Sequence, residues 1–229
     1  MEKKRKALCI ASSTFMKGSK LIELPGCKLD LEQFCKTINN FEFDIVSILN
    51  CDFKRINKEI KEFIKSLKPN DTVLFYYSGH GVTVGGRMML AAYDTDIDNL
   101  KESAFCINKY MNSVYKRKVQ FNMVFLDCCR NQLPTHTKNL ERRIHLKPID
   151  NTFIAFGTSP YGFSEGYETT DGKNQMSVFT NRLIEGISTV DSNIVDVMMY
   201  VRKKVIEDTE GEQVPCDRST LTEHFYFKN

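Results

Sequence analysis

An α/β fold with a mainly parallel six-stranded sheet and helices on both faces is the class this sequence predicts. Three observations carry that expectation. Short β-rich apolar runs alternate with stretches of helical periodicity along the chain, the pattern left by strand–helix–strand crossovers. Two of those runs stop at residues that carry chemistry: Val73-Leu74-Phe75-Tyr76-Tyr77 leads into Ser78-Gly79-His80-Gly81, and Val124-Phe125-Leu126-Asp127 leads into Cys128-Cys129-Arg130-Asn131. The carboxyl ends of strands line the ligand crevice of an open α/β sheet, so one strand delivers an imidazole and the other a thiol. Finally, the 229 residues hold no internal repeat, low-complexity segment or convincing linker, and fit a single domain, 1–229.

Taken in order, Ala7-Leu8-Cys9-Ile10-Ala11 reads as the first strand after the basic lead Lys3-Lys4-Arg5-Lys6. Thr14 to Gly26 is a loop punctuated by Pro25-Gly26. Leu29, Leu31, Phe34, Cys35 and Ile38 mark a helix over 28–40, and Phe43 to Leu49 is the second strand. Asp52 or Asn57 caps a helix whose apolar face is Ile56, Ile60, Phe63, Ile64 and Leu67. Thr72 to Tyr77 is strand three, and Gly85-Gly86 splits a hairpin. A helix over 103–118 precedes strand four at Phe121 to Leu126. Asn131 to Asp150, with prolines and basic residues but little periodicity, reads as an exposed loop, and Thr152 to Gly157 as strand five. Gly162 to Gly172 is a second loop; helices at 177–187 and 193–208 follow, and Glu223 to Phe227 closes as strand six.

Composition excludes several functions. A net charge of +3 is too small to point to nucleic acid or an anionic membrane, and the basic lead reads as a solvated entry to strand one rather than a localisation or phosphate-binding patch. No apolar run approaches the ~20 residues that span a bilayer, and no secretory signal follows the amino terminus. Eight cysteines without paired CxxC spacing fit reduced thiols in a cytoplasmic setting better than disulfides or zinc. The acidic cluster Asp94, Asp96, Asp98 lacks the EF-hand pattern and reads as a solvated loop, so no metal or other cofactor is expected.

A cysteine attacks a carbonyl as its thiolate and needs a base or a positive field beside it. A histidine within hydrogen-bond reach is that base, and later protonates the leaving amine. Gly81 lets the backbone approach a substrate closely, so its N–H, with that of Cys129, is the candidate oxyanion hole. His136, His145 and His224 fall in an exposed loop or the terminal strand, where surface or packing roles are the better reading.

Tyr77-Ser78-Gly79-His80-Gly81 resembles the histidine motif of the caspase-like cysteine proteases, in the form seen in metacaspases and paracaspases. Leu126-Asp127-Cys128-Cys129-Arg130 resembles their nucleophile motif, with the catalytic cysteine on Cys129 and Cys128 replacing a small or apolar residue. The 49 positions from His80 to Cys129 match the spacing of about 50 known in caspases. The tail from Gln213 to Phe227 is similar to the small-subunit end of caspases. The resemblance implies a caspase-like three-layer sandwich acting on peptide or protein substrates through a Cys129/His80 dyad and a thioester. It also implies a large part (1–133), a linker loop (134–150) and a small part (151–229) with pocket and dimer surfaces, hence a homodimer through the terminal strand. Calcium dependence varies in the family, and no residue here decides it.

The pocket pattern departs from that of caspases proper. Their arginine six residues before the helix aspartate is Leu24 here, ahead of Asp30, and the glutamine two places before the nucleophile is Asp127. Asp30 and Asp127, with Glu165 or Glu168, resemble instead the acidic pocket of paracaspases, which accept arginine or lysine; carboxylates are the natural partners of a guanidinium fork. An enzyme of that specificity would find Arg142 and Arg143 in its own linker loop as self-cleavage sites.

Overall fold

The computed structural model describes residues 4–128, 149–159, 166–168 and 174–228, with the backbone alone at 166–168 and 174–175. Its first half runs β1 (Arg5–Ala11), α1 (Gly26–Asn39), β2 (Phe43–Leu49), α2 (Phe53–Ser66) and β3 (Thr72–Ser78). A small insertion follows: β4 (Gly81–Val84), β5 (Arg87–Ala91), α3 (Leu100–Ser103), β6 (Ala104–Cys106) and α4 (Ile107–Tyr115). Then come β7 (Phe121–Asp127), β8 (Thr152–Phe156), β9 (Gly166–Glu168), β10 (Asn174–Ser177), α5 (Val178–Thr189), α6 (Ile194–Asp208) and β11 (Cys216–Ser219).

Six strands form one sheet in the order β11-β8-β7-β3-β1-β2, parallel except for the edge pair β11–β8. The side-chain period of two along a strand builds a core on each face. Ala7, Cys9 and Ala11 of β1 meet Leu31, Phe34 and Ile38 of α1, together with the apolar faces of α5 and α6. Leu8 and Ile10 point the other way, into the layer of Ile56, Ile60 and Phe63 from α2 and Tyr110, Met111 and Val114 from α4. This is the α/β sandwich, a mainly parallel six-stranded sheet with helices on both faces, that the sequence predicts. Local signals act where expected: Asp52 caps α2 by accepting from Arg55 N–H at 2.7 Å, Ser177 caps α5, and Asn193 caps α6. No described helix is long and apolar enough to cross a membrane.

Three expectations are corrected. The helix expected over 103–118 starts only at Ile107, because Ala104–Cys106 pairs as a third strand with β5 in a separate sheet; three buried apolar residues fit either conformation, and pairing decides. The loop expected from Gly162 to Gly172 contains β9, which pairs with β10. The sixth strand is Cys216–Ser219, not Glu223 to Phe227. The latter alternates exposed and buried residues from His224 to Phe227 and so mimics a strand, but its β-pairing among the described residues is an isolated bridge from Tyr226 to Asn193. Phe225 and Phe227 pack there against Phe121 and Phe43 instead. The terminal strand of the sheet is therefore β11, at its edge, and His224 lies exposed outside the sheet.

The charged motifs outside the crevice are structural. Arg5 donates to the carbonyls of Phe41 and Phe227 at 3.3 and 2.6 Å, and Lys6 to Ser66 O at 2.9 Å. Asp94 accepts from Phe53 N–H at the start of α2, Asp96 from Asp98 N–H, and Asp98 pairs with Lys20 at 2.7 Å. No group of three potential metal ligands occurs among the described residues.

Candidate active site

Strand order reverses at β1, which is flanked by β2 and β3, and the crevice opens where such a reversal separates the outgoing loops. The carboxyl ends of β1, β3 and β7 are held level there. Ser12 N–H donates to Ser78 O at 3.0 Å, Ser78 stands opposite Asp127 in the β3–β7 register, and Gly79 N–H donates to Asp127 O at 3.2 Å. Gly79 is required: its φ is +155°, and a Cβ there would lie 2.5 Å from the Tyr77 hydroxyl oxygen. The next residue is His80.

His80 is fixed from both sides. Its carbonyl accepts from Ala91 N–H at 3.0 Å and from the Tyr77 hydroxyl at 2.9 Å. Its ring lies 5.1 Å from that of Phe15, and Nε2 is 2.8 Å from the carbonyl of Ile22. A carbonyl only accepts, so Nε2 carries the proton and Nδ1 is left as the basic nitrogen. Burial holds the imidazole below its ordinary pKa, partly offset by the Ile22 hydrogen bond. The ring is neutral at pH 7, the state a general base needs. The bond from Ala91 to His80 also makes Gly81–Leu90 a non-hydrogen-bonded pair, which leaves the Gly81 N–H outside the β4–β5 ladder.

Where β3 and β7 end lie two buried carboxylates, Asp30 (1% exposed) and Asp127 (4%). One residue bridges them. Ser177 N–H donates to Asp30 Oδ1 at 2.8 Å, and its hydroxyl donates to Asp127 Oδ2 in a short hydrogen bond. Ser78 donates to Asp30 Oδ2 at 2.9 Å. A relay from the Tyr76 hydroxyl to Thr180 (2.7 Å) and on to Asp127 Oδ2 (2.6 Å) completes the set. Burial, then the charge of Asp127, pushes the Asp30 carboxyl up to about 8. Cys27, close by in α1, has its thiol pushed up by burial and by the Asp30 charge, so it is no rival nucleophile.

The Asp30 shift predicts a pH-dependent stability. The folded chain holds this proton up to about pH 8, whereas an unfolded aspartate releases it near 4. The group's contribution is therefore fully present below about pH 4, declines as pH rises, and is lost above about 8. Asp30→Asn is expected to flatten that slope in thermal melts between pH 5 and 9; an unchanged slope would assign it elsewhere.

Of the residues singled out from sequence, His80 and Gly81 follow β3, Asp127 ends β7, and Asp30 reaches the same strand ends from α1. Cys129, two positions beyond Asp127, lies outside the described residues, as do Glu165, Arg142, Arg143, His136 and His145. Glu168 falls in β9, where only the backbone is described. Cys128 is described: it is 1% exposed in the core shared with α2 and α4. Sequence reasoning missed Ile22, whose carbonyl acts through the main chain and leaves no side-chain signature. It also missed Ser177 as a bridge, although its position before an apolar helical run marks it as a cap.

The sequence matches the family model of the caspase domain, Peptidase_C14, over residues 4–226. It is 23% identical over 229 residues to the human mucosa-associated lymphoid tissue lymphoma translocation protein 1, and equally so to the mouse homolog. Those matches cover 97% of this chain but 26% of the relatives, so the chain spans about a quarter of their length. Among solved structures, caspase-1 from Spodoptera frugiperda superposes with a TM-score of 0.73 at 22% identity, covering 99% of this chain and 91% of that one. The structure of pro-sf-caspase-1 does so with a TM-score of 0.72 at 20% identity, covering 98% and 91%.

Proposed function

The chain belongs to the caspase-domain family of cysteine peptidases, which act on protein substrates, and we propose from that premise that it is an endopeptidase cutting after arginine or lysine. The observation that carries the specificity is the pair of buried carboxylates, Asp30 and Asp127, set side by side where β3 and β7 end. Two acids buried this close repel, and a guanidinium or ammonium between them relieves both the repulsion and the desolvation. A substrate aspartate would instead set its own negative charge against that of Asp127. The paracaspase-type pattern in the sequence points the same way.

In the proposed reaction, His80 Nδ1 takes the proton of the Cys129 thiol and the thiolate attacks the carbonyl carbon after the basic residue. The oxyanion is held by the N–H groups of Gly81 and Cys129. His80 returns the proton to the departing amine, leaving a thioester. Water, deprotonated by the same imidazole, then hydrolyses the thioester and regenerates the thiol. These steps need no cofactor.

Fluorogenic peptides ending in arginine, lysine or aspartate, tested with wild type and Cys129→Ala, decide the reading. Turnover of the basic peptides by wild type alone is expected. Preference for aspartate would overturn the acidic-pocket argument, and no turnover of any peptide would leave a scaffold. A related expectation concerns the linker loop between the large and small parts. Wild type is expected to nick itself slowly after Arg142 or Arg143 while Cys129→Ala protein keeps its full mass, as read by intact-mass spectrometry. A full-length, fully active wild type after long incubation rules out self-processing.

A further inference from the structure

The loop between β1 and α1, which holds the imidazole of His80 through Phe15 and the Ile22 carbonyl, also carries exposed apolar side chains. Only the main-chain carbonyl of Ile22 contacts Nε2, at 2.8 Å, yet its side chain is 71% exposed, the highest value of any large apolar residue among those described. Met16 of the same loop is 49% exposed. Phe15, its neighbour, is buried against the His80 ring.

This loop is braced along its length. Met16 N–H donates to Tyr93 O and Leu24 N–H to Ser13 O, both at 2.8 Å. Asn50 Oδ1 accepts from the N–H groups of Ser13 and Thr14 at 2.7 and 3.2 Å, and Lys20 pairs with Asp98 at 2.7 Å. Single exposed apolar residues are ordinary on any surface. These two differ because a braced loop carries both, and the same loop grips the candidate catalytic base.

The imidazole that accepts the thiol proton also protonates the leaving amine, so the residue after the cut must pass close to it. We propose that Met16 and Ile22 form a recognition surface for an apolar side chain on the residue immediately following the scissile bond. The inference rests on the endopeptidase reading and adds to it a selectivity on the leaving-group side, independent of what the acidic pair selects before the cut.

The test uses internally quenched peptides that differ only after the arginine, Arg-Leu against Arg-Ser. Partial burial of one such side chain corresponds to about a fivefold preference in kcat/KM for Arg-Leu. Ile22→Ser and Met16→Ser are each expected to reduce that ratio toward one, while Ile22→Val keeps it. A ratio within one variant cancels any general loss of activity, so a purely structural effect leaves it unmoved. A wild-type ratio near one, or a ratio unchanged in both serine variants, overturns the inference. If another residue before the cut is preferred, the pair is remade with that residue, and the basic-specificity reading fails separately. Should no peptide be turned over, the endopeptidase reading fails and the comparison moves to binding of both peptides by Cys129→Ala protein, measured by fluorescence anisotropy. Equal affinities there overturn the inference too.

Discussion

Cys129→Ala is expected to abolish peptide cleavage, a loss of at least about 10⁴-fold in kcat/KM, because no thiol among the described residues near His80 is placed to replace that nucleophile: Cys27 and Cys128 are buried. The adjacent Cys128 serves as the internal control. It is 1% exposed and packed into the core under α2 and α4, so Cys128→Ala removes a buried sulfur. The expected cost is roughly 1 kcal/mol of stability, with turnover largely kept. His80→Ala should fail alongside Cys129→Ala, since without its base the thiol stays mostly protonated at neutral pH. Steady-state kinetics on an arginine peptide, with a thermal melt of each variant, separates these outcomes. Equal loss of activity from both cysteine substitutions in folded protein would reassign the nucleophile.

Asp127→Asn is expected to lower kcat/KM for arginine substrates by about 10²-fold or more, because truncating one partner of a buried charge pair costs several kcal/mol. Asp30→Asn should act in the same direction. Peptides with a neutral residue before the cut should be affected far less, which distinguishes lost charge recognition from a damaged crevice. The proton held by Asp30 adds a pH signature. A cationic substrate must displace that proton, so affinity for arginine peptides is expected to rise with pH up to about 8 and then level off. The Asp30→Asn variant should lack that rise. A wild-type profile without it, for arginine but not neutral peptides, would falsify the carboxylate-pair account of specificity.

The class of fold was legible in the sequence for a local reason. The runs at 72–77 and 121–126 are apolar enough to be read as buried strands, and the residues at their carboxyl ends stand out chemically. Parallel pairing then carries both ends to one place. Where local pattern and pairing disagreed, pairing prevailed. Cys216–Ser219 is a polar edge strand that no apolar alternation announces, whereas His224 to Phe227 alternates exposed and buried residues and is no strand of the sheet. Alternation records which side chains are buried; it does not record what the backbone bonds to.

From the sequence alone come the residue types: a histidine between glycines, a cysteine pair after an aspartate, and a leucine and an aspartate (Leu24 and Asp127) where caspases proper carry arginine and glutamine. Only the tertiary structure decided how His80 is held and why Asp30 keeps its proton. The first depends on the Ile22 carbonyl, 58 positions away in the chain, which selects the tautomer. The second depends on burial and on Asp127, brought close by α1 packing on the sheet and by Ser177 at the start of α5. Both are main-chain or through-space effects between distant segments. They have no side-chain signature in either segment and arise only when the sheet closes them together.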